Sequence, residues 1–164
     1  MLSGFCLIAG SPADTTMHMH RLLVRLAVCS PIQWLACGNY IDLQRLIYDV
    51  TLRAGKNYYT VLKDNIGICR AETCHQVVAL LHKTKAAETP ILITDLLMHF
   101  YDENVRSDEA KELFIDGMQA LKKLSRTGLV IVSAFDNTER SQFFTNLCQN
   151  ASRVIQFSGD HYGS

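Results

Sequence analysis

Pro90-Ile91-Leu92-Ile93-Thr94-Asp95 decides the fold. A proline opens a short run rich in branched apolar residues, and a carboxylate closes it. Such a run is a strand buried on both faces, and strands of that kind belong to parallel sheets covered by helices above and below. Working outward, comparable runs occur at Phe5–Ala9, Ile32–Cys37 and Leu129–Ala134, with shorter ones at Asn65–Cys69 and Arg153–Phe157. Between them, apolar residues recur at helical spacing. Leu22, Leu23, Leu26 and Ala27 do so within Met17–Cys29. Leu43, Leu46, Ile47 and Val50 follow Asp42, which is placed to cap a helix reaching about Arg53. Val77, Val78, Leu80 and Leu81 mark Glu72–Lys83. Leu113, Phe114, Met118, Leu121 and Leu124 mark a helix from Ser107 to about Arg126, which Gly128 stops. Thr138–Gln149 is the last helix. Strict alternation predicts a three-layer α/β/α fold with a mainly parallel sheet. One domain spans 1–157, and the polar tail 158–164 is expected to be flexible.

The 164 residues carry 16 Lys+Arg against 16 Asp+Glu, with 48% hydrophobic and 20% charged residues. That excludes wholesale disorder. It also removes the broad positive field of a stand-alone nucleic-acid binder. No apolar run approaches the roughly 20 residues that cross a bilayer, and Met1–Gly10 lacks the basic start of a signal peptide. No membrane association is expected. Most of the six cysteines lie in apolar runs, which points to free thiols in a reducing compartment: cytoplasmic, or nuclear in a eukaryote.

In parallel α/β sheets ligands bind beyond the carboxyl ends of the strands. The first such loop, Gly10-Ser11-Pro12-Ala13-Asp14-Thr15-Thr16, has the strand–loop–helix layout of a phosphate-binding loop. That chemistry needs curled N–H groups, close-approach glycines, a Lys for phosphate charge and a Ser/Thr for Mg²⁺. Gly10 supplies the first glycine and Thr16 the hydroxyl; the second glycine and the Lys are missing, and Asp14 brings the wrong charge. The alternative is an ordinary turn with Pro12 and an Asp or Thr cap. Asp95 ends the fourth strand where a Mg²⁺-organising carboxylate would sit, or serves there as a cap or rim residue.

Together these segments resemble the RecA-like branch of the P-loop ATPases, especially the archaeal and eukaryotic recombinases and their paralogues. The likeness runs from about Phe5 to Phe157 and rests on three stretches: Gly10–Thr16, Trp34–Leu46 and Ile91–Tyr101. Trp34-Leu35-Ala36-Cys37-Gly38-Asn39-Tyr40-Ile41-Asp42-Leu43-Gln44-Arg45-Leu46 is similar to the family's aromatic-I-D-T-E-G strand and the helix start after it. The resemblance implies a RecA-like sheet and a nucleotide site of ATP with Mg²⁺. Its residues would be Gly10, Ser11, Asp14, Thr15, Thr16, Asp95 and Ser133, with Thr16 and Asp95 on the metal and Ser133 sensing the γ-phosphate. The departures imply more. Gly38 replaces the water-orienting carboxylate, Ala36 the Asp before it, and Thr15 the phosphate-loop Lys. Losing one electrostatic donor of this kind lowers a rate on the order of 100–1000-fold.

The expectation is therefore a non-hydrolysing scaffold or regulatory subunit in DNA recombination or repair, working with a protein partner or as a homo-oligomer. A divergent ATPase is the alternative, completed by a neighbouring subunit's Arg140 or Lys63; a single-stranded-DNA-binding accessory protein is the second alternative. The family's N-terminal domain and subunit-linking segment are not expected ahead of a strand that starts near Met1, so filaments by that route are not expected either.

Against DNA contact, the loop after the fourth strand holds Asp102, Glu103, Asp108 and Glu109, which oppose phosphate. Only Asp136 and Asn137 are expected between the fifth strand and its helix, so a second DNA loop is not expected. Lys83, Lys85, Lys122, Lys123 and Arg126 read as solvated helix ends. Lys56, Tyr58 and Tyr59 would stack on single-stranded bases or anchor a loop. His18 and His20, two apart on a helix, point to different faces, and Cys69, Cys74 and His75 make a poor zinc pattern. No G-x-S-x-G elbow is present for serine-hydrolase chemistry.

Overall fold

The computed structural model describes residues 4–157. Six parallel strands form one sheet in the order β3-β2-β4-β5-β1-β6. They are β1 (Phe5–Ala9), β2 (Ile32–Ala36), β3 (Ile66–Arg70), β4 (Ile91–Thr94), β5 (Val130–Ala134) and β6 (Arg153–Gln156). The helices are α1 (Pro12–Cys29), α2 (Leu43–Ala54), α3 (Tyr58–Thr60), α4 (Cys74–Lys83), α5 (Ser107–Leu124) and α6 (Ser141–Asn150). The three-layer α/β/α architecture is as the alternation predicts. The tail 158–164 lies outside the described residues.

Two-residue periodicity divides each central strand between two cores. Ile8, Trp34, Leu92 and Ile131 point to the layer of α1 and α2, where they meet Met19, Leu23, Leu46 and Val50. Leu7, Leu35, Ile93 and Val132 point to the opposite layer, against Val77, Leu121, Phe114 and Phe143 of α4, α5 and α6. The edge strands β3 and β6 are largely exposed.

The chain leaves β1 and β2 through the α1–α2 layer, and leaves β3, β4 and β5 through the other. Neighbours therefore diverge at three places, between β3 and β2, between β2 and β4 and between β5 and β1. Crevices open at such switch points, beyond the carboxyl ends of the strands.

Three local expectations change. The first helix begins at Pro12, not Met17, so most of the expected first loop is helix. Pro is pre-organised for the first helical position, and Ser11 caps the turn by accepting the Asp14 N–H at 3.1 Å. The stretch between α2 and β3 is a continuous helical run of mixed pitch, not an irregular connection. Gly55, with φ 56°, ends α2 in the left-handed region that Gly tolerates. Asn65 Nδ2 then ties the end of the run to the Ala27 carbonyl at 2.7 Å. Finally, α6 starts at Ser141, so 135–140 and not two residues follow β5. There Asn137 Oδ1 accepts the N–H groups of Glu139 and Arg140, an Asx-type turn that delays the helix.

Candidate functional site

The site is built at the end of β4. On one side the Cys37 N–H donates to the Thr94 carbonyl (3.0 Å), and the Trp34 indole N–H donates to Thr94 Oγ1 (3.0 Å). On the other, the Asp95 N–H donates to Ser133 Oγ (3.0 Å) and the Leu96 N–H to the Ser133 carbonyl (3.1 Å). Pinned from both sides, the chain turns at Asp95 with φ 54°, the one non-glycine residue in the left-handed region among the described residues. Asp tolerates that conformation better than most residues but at some cost, and such strain concentrates at functional sites.

The Asp95 carboxylate lies against the backbone of Gly38. A Cβ at residue 38 would stand 2.5 Å from Asp95 Oδ2. Glycine at this position is what lets the carboxylate occupy the β2–β4 crevice. Burial raises the Asp95 pKa above the usual carboxylate value. Burial, followed by the Asp95 charge, pushes the Cys37 thiol up to about 12. Among the described residues Asp95 has no ion-pair partner.

Asp95 lines a cavity of about 440 Å³ bounded by the first turns of α1, the β2–α2 connection and the ends of β4 and β5. Thr16, Asp95 and Ser133 all line it, so three of the expected site residues converge. Gly10, Ser11, Asp14 and Thr15 do not line it. The connection between β1 and α1 is only Gly10 and Ser11. Ser11 Oγ donates to the Asp14 carboxylate at 2.9 Å while capping the helix. Thr15 is fully buried, and its hydroxyl donates to the carbonyls of Ser11 (3.1 Å) and Pro12 (3.2 Å). Gly10 packs against β6, where a Cβ would meet the Phe157 carbonyl oxygen at 2.8 Å.

A phosphate cradle needs several N–H groups curled around an anion. This turn is too short to curl, Pro12 has no N–H, and Asp14 places a negative charge at the helix start. Mg²⁺ is held through one or two carboxylates together with the substrate's phosphates. Thr16 and Asp95 line the same cavity, beside a turn that lacks those curled N–H groups. No group of three or more His, Cys, Asp or Glu that could hold a metal ion occurs among the described residues.

The remaining expectations distribute as follows. His18 stacks on Phe157 and His20 Nε2 pairs with Asp49 Oδ2 at 2.6 Å, so the two diverge as their spacing implies. His75 pairs with Glu109 and His82 with Asp116, stitching α4 to α5. Arg140 is not free to serve a neighbouring subunit. Its guanidinium donates to the carbonyls of Phe100 (2.8 Å) and Val105 (2.7 Å), bracing the segment after β4. Tyr59 is exposed and Lys63 lies 6.0 Å over its ring. All six cysteines are free, with Cys29 and Cys69 exposed.

The wall of the cavity comes from the Trp34–Leu46 stretch that carries part of the resemblance, though none of its residues was expected in the site. Trp34, Tyr40, Ile41, Asp42 and Arg45 line it, and Arg45 Nε lies 3.7 Å from the same Asp49 oxygen that holds His20. Asp42 and Arg45 were legible only as a helix cap and a helix residue.

Among the described residues no helix is long and apolar enough to cross a membrane. Compared with protein-family models and with curated proteins, the chain finds no significant match.

Proposed function

We propose that this chain is a RecA-like relative that has lost phosphoryl transfer and acts as a non-hydrolysing scaffold or regulatory subunit, in the recombination or repair setting its resemblance implies. The observation that carries the reading is the two-residue β1–α1 turn, closed by Ser11, Pro12 and Asp14 and lacking any Lys. Phosphoryl transfer depends on positioning and charge stabilisation, and both are missing where phosphates would lie.

Partner binding has its own support. Tyr40 and the α2 residues Leu43, Ile47, Tyr48 and Leu52 leave large apolar side chains in solvent, close together along one helix and its entry. Scattered exposed apolar residues are normal, but contiguous ones mark interaction surfaces. The partner is a protein, bound through the α2 side of the sheet.

Turnover of ATP by the pure protein with Mg²⁺ tests the first half. The expected result is no hydrolysis above background. Robust Mg²⁺-dependent hydrolysis, abolished by Asp95→Ala, would overturn it.

A further inference from the structure

Asp95 is half-buried, faces the cavity and has no cation within ion-pair distance among the described residues. A desolvated carboxylate without a partner is costly, and such groups concentrate at functional sites. The cations at the rim do not serve: His20 and Arg45 are both turned to Asp49, at 2.6 and 3.7 Å. A second carboxylate, Asp42, also lines the cavity. Trp34, Met17 and Ile41 give it apolar walls, with the Trp34 indole N–H already spent on Thr94.

Those features select by charge. An anion meets Asp95 and Asp42. A neutral apolar ligand strips water from Asp95 and returns nothing. A cation on an apolar stem satisfies the carboxylate and packs its stem on Met17, Ile41 and the exposed edge of the Trp34 wall. A volume of about 440 Å³ suits a small organic group.

We propose that the cavity binds an organic cation, an ammonium or guanidinium on an apolar stem, with Asp95 as its counter-charge and Trp34 as its wall. The cation belongs to a small amine or to the Lys or Arg side chain of a protein; the chemistry is shared. The inference rests on the reading above that this crevice no longer takes a nucleotide.

Trp34 is the sole tryptophan, so its fluorescence reports the site directly. The full chain is titrated with benzylamine, benzyl alcohol and benzoate, then with N-acetyl-arginine amide, and separately with ATP and Mg²⁺. Benzylamine is expected to bind with a Kd of about 1 mM or tighter. Benzyl alcohol should bind at least about tenfold more weakly and benzoate not at all. Asp95→Asn, which keeps the shape and tolerates the same backbone, should weaken benzylamine about 30-fold, the usual worth of a charge-assisted contact. Asp42→Asn at the exposed rim should weaken it less than about threefold.

Tighter binding of the arginine amide assigns the site to a protein side chain, and tighter binding of benzylamine to a free amine; either supports the proposal. Equal affinity for amine and alcohol, or an unchanged affinity in Asp95→Asn, overturns it. If neither amine nor ATP binds, the cation site falls and the non-nucleotide reading stands. If ATP binds in an Asp95-dependent way and the amines do not, both fall.

Discussion

The turns after β1 and after β4 are built in opposite ways. After β1 the turn is closed on itself: Gly10 packs on Phe157, Ser11 and Asp14 satisfy each other, and Thr15 turns its hydroxyl back onto its own helix. After β4 it is open: Asp95 is strained, half-buried and unpaired among the described residues, and it lines the cavity that the first turns of α1 also bound. A strained, half-buried carboxylate is costly to keep, and its presence at only one of the two turns is what the proposed cation site accounts for.

The largest expected effect comes from placing at residue 38 the carboxylate that the family resemblance calls for. Gly38→Glu puts a side chain where Asp95 already lies and adds a second carboxylate beside it. A loss of about 3 kcal/mol is expected in denaturant unfolding, with no gain of ATP hydrolysis. A stable, hydrolysing Gly38→Glu protein would erase the contrast.

Next is the brace behind the open end. Arg140→Ala leaves the carbonyls of Phe100 and Val105 unpaired and should destabilise by about 2 kcal/mol. Arg140→Lys should recover little, since one ammonium does not reproduce the fork. Full recovery by Lys would mean that charge and not geometry holds the segment.

Asp95→Asn should move stability the other way, upward by about 1 kcal/mol, as replacements at strained functional positions often do. The fold raises the pKa of Asp95, so the native state holds this proton more tightly than the unfolded chain. Its contribution to stability therefore falls as pH rises from the ordinary Asp value through the raised one. Unfolding free energies measured across that interval should decline less steeply with pH in Asp95→Asn than in the parent. Parallel profiles would show that Asp95 is not desolvated.

The smallest effect belongs to the closed end. Ser11→Ala removes an exposed cap and should cost about 0.5 kcal/mol without touching ligand binding at Asp95. A change in Trp34 fluorescence in this variant would show that the two turns communicate.

The layers and the strands were legible because the central strands are apolar on both sides, and residues such as Leu92 and Ile93 leave no other reading. The start of α1 was not, because Pro12-Ala13-Asp14-Thr15-Thr16 has no apolar period; its cap signal, Ser11 before Pro12, competes with the layout of a phosphate loop. The helical run before β3 was hidden by Gly55-Lys56-Asn57, which reads as a breaker, while Val61 and Asn65 anchor it from a distance. Asp95 and Thr16 were readable as candidates from position alone. What surrounds them was not: the Gly38 contact and the His20–Asp49 pair join residues far apart in the chain, and no local pattern announces them.

The central claim is that the open crevice has parted from nucleotide chemistry. Calorimetric titration of the intact chain with ATP and Mg²⁺ at millimolar concentration tests it most directly. No binding heat is predicted, in the parent or in Asp95→Asn. A saturable isotherm with a Kd tighter than about 1 mM, lost in Asp95→Asn, would contradict it.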